Sequence, residues 1–416
     1  MLAGLVADLV LWPREQLPPA IDANAHYFFS EAFIVRATNF RGLQSWLSLI
    51  AGFVTVAIPV VVACCWPRGV REGSMLARWS DRRSGAVLGR GGAVADAAVA
   101  CAIGSIALVA ALPLQCAMYA RAHRAGLVLQ NFDGWLSNWL LGALLTLLAL
   151  ALLAMLAGWL IRTIGRMWWT AFGVILIAIA IVFQMFSPIL VEPLFANFTK
   201  LPAGPVRSDV EQIARRSGVH AGEIYTVDAA SRTTGANAYV TGLGSTKRVV
   251  IYDTLLKDFT PAERRAVLAH EFGHAKHRDV VAGLVWFGFV ALVSLFAIDL
   301  LARALARSRG VDFASPAGIA MLLAAALIAI AVSQPAANAW SRKIEARADA
   351  FALAVTQKPD AAIALEQRLT TRNLSRPEPP SALQFFFGTH PTPMQRIGMA
   401  VTVRRELARG KVEPLP

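Results

Sequence analysis

Charged residues are scarce in this sequence: Asp, Glu, Lys and Arg together make up 16% of its 416 residues. Soluble globular proteins carry about 25%. The deficit comes from long apolar runs almost without charge, each long enough to cross about 30 Å of hydrocarbon as a helix. Six runs of this kind lie at 43–66, 93–114, 135–161, 168–190, 280–302 and 315–340. The composition therefore argues against a soluble protein and predicts an α-helical polytopic membrane protein with about six transmembrane helices.

Cysteine is also scarce, and its spacing excludes two kinds of site. The four cysteines lie in or at the ends of apolar runs, at Cys64, Cys65, Cys101 and Cys116. None has CxxC spacing, so we expect neither a disulfide framework nor a thiolate metal site. A secretory signal is not expected either, because the apolar start MLAGLVADLVLWP lacks a basic residue, contains Asp8 and stops at Pro13.

The chain is basic, with a formal net charge of +13. Its arginines are scattered over short loops such as RGVREGSMLARWSDRRSG, at 68–85, beside the apolar runs. This distribution is typical of attraction to anionic lipid headgroups. We therefore expect the lipid bilayer as a partner and no nucleic acid.

The apolar runs divide the chain into parts. We expect an N-terminal interfacial segment at 1–42, four transmembrane helices within 43–190, a polar domain at 191–279, a transmembrane hairpin at 280–340 and a second polar part at 341–416. Inside the first polar part the pattern predicts an amphipathic helix at 206–218, a strand at 223–229 and a β-hairpin at 237–256. The polar parts together read as a small α+β domain at the membrane face.

The first polar part ends in TPAERRAVLAHEFGH, which has a clear helix start and a metal-ligand spacing. Thr260 can cap the helix and Glu263 can complete a capping box. His270 and His274 then lie one turn apart on one face, and Glu271 beside them can take a proton from an attacking water molecule. Because HExxH also occurs by chance, two other interpretations stay open: a polar helix face at the membrane surface, or histidines hydrogen-bonded inside a core.

A catalytic zinc ion needs a third protein ligand. If the HExxH helix runs on into the membrane at residue 280, His274 lies about 9 Å above the entry point. The chain returns near 335–340 and stays helical through NAWSRKIEARADAFALA, which places Glu345 at a comparable height, about 8–15 Å above the exit. Glu345 is thus the acidic residue best placed to be the third ligand, although an isolated glutamate would normally be an exposed helix carboxylate. Asp349, one turn on, can hydrogen-bond a ligand imidazole.

Several stretches, in this order, resemble the integral-membrane zinc metalloproteases of the CAAX prenyl protease type 1 family. The resemblance covers about residues 110–400 and rests on LPLQCAMYARAHRAGLVLQNFDGWLSNWL, EPLFANFTKLP, ASRTTGANAYVTGLGSTKRVVIYDTLL, HEFGHAKHRD, SRKIEARADAFA and GTHPTPMQRI. It implies a zincin-like metalloprotease domain and one zinc ion per chain. Family members begin with one more transmembrane helix than this sequence shows.

The resemblance also implies roles for individual residues. His270, His274 and Glu345 would bind zinc, and Glu271 would be the general base and acid. The strand with NAY would offer an edge to an extended peptide, with Asn237 and Ala238 as substrate contacts. His390 and Arg396, in the THP…R element, would steady the oxyanion, since a tetrahedral intermediate carries negative charge.

Basic residues near the ends of the transmembrane helices predict the side of the membrane on which the active site lies. Short loops opposite the expected zinc site hold eleven arginines, whereas the zinc side has ten basic residues. The count favours an extracytoplasmic site, but the family places it on the cytosolic side. We follow the family and expect the active site at the cytoplasmic face of a bacterial inner membrane.

These observations predict a membrane-embedded zinc endopeptidase that acts on a peptide or protein, which is lipidated or membrane-associated in the family. Two other functions stay open. One is a quality-control metalloprotease of the related heat-shock type, with the same chemistry on misfolded membrane proteins. The other is a channel or transporter with a structural zinc site. The near absence of ionisable residues in the spans, where Asp96 and Asp299 are the main ones, argues against it.

Overall fold

The computed structural model describes residues 17–66, 92–242 and 246–411. The first 16 residues of the expected interfacial segment lie outside this range. So do the turn residues 243–245 and most of the arginine-rich loop after the first span, which supplied more than half of the arginines counted on the far side.

Among the described residues, four long helices come first: α1 (Glu31–Cys64), α2 (Ala93–Arg124), α3 (Phe132–Ile164) and α4 (Trp168–Leu190). By length and composition α1, α2 and the stretch Phe132–Leu190 can cross a membrane. That last stretch holds both α3 and α4, separated by a 3-10 turn at Gly165–Met167. Gly165 has φ 73°, a backbone conformation that glycine adopts at little cost.

The contacts at its two ends show that the Phe132–Leu190 stretch crosses twice. Thr233 of the polar domain donates a hydrogen bond to the carbonyl of Leu127, just before α3, and Arg248 donates one to the carbonyl of Pro188 in α4. The far end of α3 is instead held by Arg162, which donates to the carbonyl of Ala314, 3.4 Å away. The chain therefore leaves the polar domain in α3 and returns in α4.

Helix α1 begins twelve residues before the apolar run that predicted it. Ser30 caps it by accepting the N–H of Phe33 at 3.3 Å, so the helix includes residues 31–42, in which polar and apolar side chains are mixed. Hydropathy marks only the apolar part of a helix, which is why the sequence placed these residues in an interfacial segment. Residues 17–29 instead contact the C-terminal part of the chain, where Thr402 donates to the carbonyl of Pro19 at 2.6 Å.

The polar domain is built on a four-stranded sheet. Its elements are β1 (Phe198–Lys200), α5 (Pro205–Arg216), β2 (Glu223–Val227), β3 (Ala238–Thr241), β4 (Arg248–Tyr252), α6 (Asp253–Asp258) and α7 (Pro261–Lys276). The strand order is β1-β2-β4-β3, with β2 and β4 parallel and the other pairs antiparallel. Strand β3 is therefore an edge strand, paired with β4 in the hairpin that the sequence predicted. Buried apolar side chains join the sheet to α7, among them Ile224, Val249, Ile251, Leu268 and Phe272.

The C-terminal part is α8 (Asp279–Arg309), α9 (Pro316–Thr356), α10 (Pro359–Arg372), α11 (Ser381–Phe387) and α12 (Pro393–Ala408). Helices α8 and α9 are also long and apolar enough to cross a membrane, which gives five such stretches among the described residues, or six helices when Phe132–Leu190 is counted as α3 and α4. The predicted fold class is confirmed. Helix α9 is continuous from the membrane into the polar domain, as expected. Helices α7 and α8 are not one helix, because Arg278 between them adopts a left-handed conformation with φ 56°.

Candidate metal centre

Helix α7 is fixed at its start and along one face. Thr260 and Glu263 form the predicted capping box: the Thr260 N–H donates to Glu263 at 2.7 Å, and the Thr260 hydroxyl accepts the Glu263 N–H at 3.3 Å. Gly273 lets α9 approach closely, since a Cβ at that position would lie 3.3 Å from the Cα of Ala348. This contact brings the histidine face of α7 against the part of α9 that carries the acidic residues.

Three predicted ligands meet between these helices. The Nε2 atoms of His270 and His274 are 3.1 Å apart, and the carboxylate of Glu345 lies 3.1 Å from the first and 3.7 Å from the second. Ligand atoms around a tetrahedral ion with bonds of about 2.0–2.1 Å are about 3.3–3.4 Å apart. Two imidazole nitrogens and a carboxylate, which faces His270 with Oε2 and His274 with Oε1, therefore have the chemistry and the spacing of a metal ligand set.

Each histidine is oriented by a carboxylate at its other ring nitrogen. Nδ1 of His270 lies 2.9 Å from Asp349, as the sequence predicted for a ligand imidazole. Nδ1 of His274 lies 2.8 Å from Asp279, which the sequence analysis missed. An acceptor at Nδ1 fixes the hydrogen there and leaves the Nε2 lone pair for a metal. Two Nε2 lone pairs that face each other beside a third, anionic oxygen need a cation between them.

The pKa of His270 in the metal-free protein reflects the same demand for a positive charge between the ligands. Burial by itself lowers that pKa, but hydrogen bonds to Asp349 and Glu345 and their negative charges outweigh burial and raise it to about 10. A proton is thus held strongly where the arrangement has room for a metal ion.

Arginines bind the two carboxylates, Asp349 and Asp279, that orient the histidines. Arg396 makes a two-pronged contact with Asp349, at 2.7 and 2.9 Å, and also pairs with buried Glu366 at 2.9 Å. Arg347 pairs with Asp279. The sequence placed Arg396 at the oxyanion, whereas the structure directs its guanidinium to these two carboxylates. Its pKa lies above the usual value because their negative charges outweigh the effect of burial.

Glu271 lies in a cleft with His270, Asn237 and His390. Burial raises the pKa of its carboxyl, while the two histidines and the backbone N–H of Val240 act in the opposite direction. The raised pKa makes the carboxylate a stronger base. Strand β3 therefore touches the catalytic region through Val240, two residues beyond the pair that the sequence singled out.

The remaining predicted residues, His390, Asn237 and Ala238, lie in three different environments. His390 reaches the centre, with Nε2 3.3 Å from Glu345, and its side chain is more than half exposed. Burial and the nearby positive groups lower its pKa, although Glu345 acts to raise it. Asn237 is exposed and borders the cleft. Ala238 is only 1% exposed and lies in the core under α7, so the structure leaves it no surface for a peptide.

An HExxH helix in a polar domain, packed against a membrane-crossing helix that carries ExxxD, defines an integral-membrane metalloendopeptidase. Residues 200–403 match peptidase family M48, and residues 75–197 match the CAAX prenyl protease N-terminal family, described as five membrane helices. The chain belongs to this family of CAAX protease-type membrane metallopeptidases, which implies a metal ion at the centre.

Individual relatives agree with this assignment. The uncharacterized metalloprotease YhfN of Bacillus subtilis is 27% identical over 301 residues, which cover 70% of each chain. The probable CAAX prenyl protease 1 of Schizosaccharomyces pombe is 30% identical over 225 residues, 53% of this chain and 47% of that protein. The crystal structure of S. mikatae Ste24p matches 96% of this chain and 95% of its own with a TM-score of 0.77; at 19% identity it shows a shared fold.

Proposed function

We propose that this protein is a zinc-dependent endopeptidase that hydrolyses peptide bonds at the membrane face, with one zinc ion held by His270, His274 and Glu345. One observation carries the proposal. The Nε2 atoms of both histidines converge on the Glu345 carboxylate at 3.1–3.7 Å, while both Nδ1 atoms are occupied by carboxylates. A search of the described residues for three or more His, Cys, Asp or Glu side chains with metal-ligand spacing finds these three residues.

The chain's own groups then carry the proton transfers. When bound, zinc would polarise the scissile carbonyl and lower the pKa of the attacking water. Glu271 accepts the proton of that water and delivers it to the leaving amine, a role that its raised pKa favours. His390, whose Nε2 lies 3.3 Å from Glu345, donates a hydrogen bond to the developing oxyanion. Arg396 acts through Asp349, which it holds in place against His270.

The substrate is a peptide or protein that reaches the cleft at the membrane face. We propose that it lies extended along the β3 side of the cleft, next to Asn237, and that the active site faces the cytoplasm of a bacterial inner membrane. The curated eukaryotic relatives are named CAAX prenyl proteases, which supports a substrate with a lipidated cysteine near its C-terminus.

The transporter alternative loses support because the two acids in the spans are already paired. Asp96 bonds Arg162 at 2.6 Å, and Asp299 bonds Arg303 at 2.8 Å and Trp168 at 2.6 Å. Neither carboxylate is free to carry an ion or a proton along a pathway.

A matched peptide pair tests the proposal: a CAAX peptide with a farnesylated cysteine and the same peptide unmodified, each incubated with wild type and with Glu271→Ala. We expect wild type to cut at least one peptide and Glu271→Ala to cut neither. A preference for the farnesylated peptide supports recognition of the lipid, and equal cleavage supports the quality-control alternative. Failure of zinc-loaded wild type to cut either peptide would overturn the proposed substrate class.

A further inference from the structure

Three consecutive phenylalanines of α11, Phe385, Phe386 and Phe387, are exposed by 54, 48 and 55%. Their rings contact one another, with centroids 5.0 and 6.2 Å apart, and form one continuous apolar patch that we call the phenylalanine triad. The triad belongs to the polar part of the chain, where such a patch in water is unfavourable. An exposed aromatic patch of this kind indicates an interaction surface.

The contacts of α11 with α9 place the triad at the membrane boundary. Asn338 of α9 donates to the carbonyl of Phe386 at 2.6 Å, and Arg342 donates to the carbonyls of Gln384 and Gly388 at 3.1 and 2.6 Å. The carbonyls of Phe386 and Gly388 lie at the C-terminal end of α11, where carbonyls lack partners inside the helix. The carbonyl of Gln384 also accepts the N–H of Gly388 at 3.0 Å. Between residue 313 and Arg342 the sequence of α9 has no charged residue, so Arg342 marks the point where the helix leaves the hydrocarbon.

Two further features mark the same depth. Trp286 and Trp340 stack with ring centroids 5.6 Å apart beside Asn338, as tryptophans do at a membrane–water interface. Exposed apolar side chains continue directly below this level, at Ile330 and Val332 of α9 and at Phe289 and Val293 of α8. Asn338 is only about 9 Å along the helix axis from Val332. The phenylalanine triad therefore continues the apolar surface of the spans.

We infer that the phenylalanine triad is a lipid-binding surface that inserts into the interfacial region of the bilayer and so holds the loop carrying His390. Its occupant is the bilayer around this chain, because the triad lies level with the aromatic belt and adjoins the apolar surface of the spans.

The link to His390 is short and hydrogen-bonded. Gln384, within α11, donates to the carbonyl of His390 at 2.7 Å, and Arg342 holds the carbonyl of Gly388 between them. Thr389 contacts Nδ1 of His390 at 2.8 Å, and Nε2 of the same ring is 3.3 Å from Glu345. The depth at which α11 sits therefore sets where the His390 ring lies relative to the metal ligands.

Site-directed spin labelling tests the location of the triad. In a variant with its four cysteines replaced by serine, a nitroxide is placed at Phe386→Cys, with Phe289→Cys of α8 as lipid control and Gln212→Cys of α5 as water control. The protein is reconstituted in phosphatidylcholine–phosphatidylglycerol vesicles. We expect the label at 386 to collide with oxygen more than with a water-soluble nickel chelate, as at 289. A water-like ratio, as at 212, or shielding from both reagents by protein would overturn the inference.

Turnover tests the link to His390, a part of the inference that rests on the proposed function. Phe385→Ser/Phe386→Ser/Phe387→Ser should lower kcat by up to about 10²- to 10³-fold, the cost of losing one oxyanion donor, with zinc content unchanged. In the His390→Ala background the triple change should add no further loss, whereas multiplied losses would show an effect independent of His390. Phe289→Ser is the matched lipid-facing control, and Phe386→Ser replaces the triple variant if that fails to fold. An inactive wild type would refute the proposed function but leave the labelling result intact.

Discussion

Nδ1 of His274 lies 2.8 Å from the carboxylate of Asp279, five residues further along the chain. The left-handed Arg278 ends α7 and turns the chain so that Asp279, the first residue of α8, comes back towards the histidine. Arg347 of α9 then binds the same carboxylate. The membrane helices thus position a ligand of the centre, in the same way that Arg396 and Asp349 position His270.

Asp279→Asn should weaken zinc binding about 10- to 100-fold, because it removes the negative partner that orients His274 and makes it a better ligand. Competition with a chromophoric chelator measures the affinity. Asp258→Asn is the matched control, since Asp258 also pairs with an arginine, Arg372 at 2.8 Å, outside the centre. An affinity equal to that of wild type would remove Asp279 from the account.

Arg396 and Asp349 should act as one unit. Arg396→Gln and Asp349→Asn should each lower the zinc affinity, and the double variant should lose little more than the worse of the two, because residues in contact are not additive. If Arg396→Gln leaves zinc affinity intact and lowers only kcat, the direct oxyanion role suggested by the sequence is correct instead.

Zinc affinity should keep rising with pH above neutrality. In the metal-free protein the pKa of His270 is raised to about 10 by Asp349 and Glu345, so zinc must displace a proton at every pH below that value. We expect the logarithm of the apparent affinity to rise by about one per pH unit between pH 7 and 9 in pH-stat titrations. A histidine with an ordinary pKa of about 6.5 would give a plateau there instead.

The raised pKa of His270 also determines whether the stability of the metal-free protein rises or falls with pH. A folded-state pKa of about 10, above the unfolded value, stabilises the metal-free protein fully below about pH 6.5. That stabilisation is lost as pH rises through 10. The chelator-treated protein should therefore melt at a lower temperature at pH 10 than at pH 7, and Asp349→Asn should reduce the difference. If the melting temperature falls equally in wild type and Asp349→Asn, ionisable groups other than His270 cause the pH dependence.

Glu345→Ala should abolish stoichiometric zinc binding, because two histidines alone leave the ion without its only anionic ligand. Metal analysis after gel filtration measures the stoichiometry. Glu378→Ala, at an exposed position in the loop between α10 and α11, is the control and should keep one zinc ion per chain. Retention of zinc in Glu345→Ala would exclude this residue from the ligand set.

The sequence predicted the parts of the molecule that depend on periodicity and on helix geometry. Apolar runs predicted the six helices. Counting residues along two helices that share a membrane surface placed Glu345 level with His274, and the structure has them 3.7 Å apart. The two residues meet although α7 and α8 are not continuous, and only His277 and Arg278 separate the two helices.

What the sequence missed depends on tertiary contacts that no local pattern reports. Asp279 reads as a polar residue at the start of an apolar run, and only the backbone turn at Arg278 reveals its role. Arg396 can serve an oxyanion or a carboxylate equally well from its chemistry, and its partner Glu366 lies on a different helix. Ala238 fits an exposed edge strand until α7 is seen to cover it.

The most direct test of the account measures zinc content and peptide hydrolysis together in Glu271→Gln, which removes the proton acceptor but no metal ligand. We predict one zinc ion per chain, as in wild type, and hydrolysis slower by about 10²- to 10⁴-fold, the range for loss of a general base. Zinc-loaded Glu271→Gln that hydrolyses peptide at the wild-type rate would contradict the account, because the proton transfer assigned to Glu271 would then proceed without it.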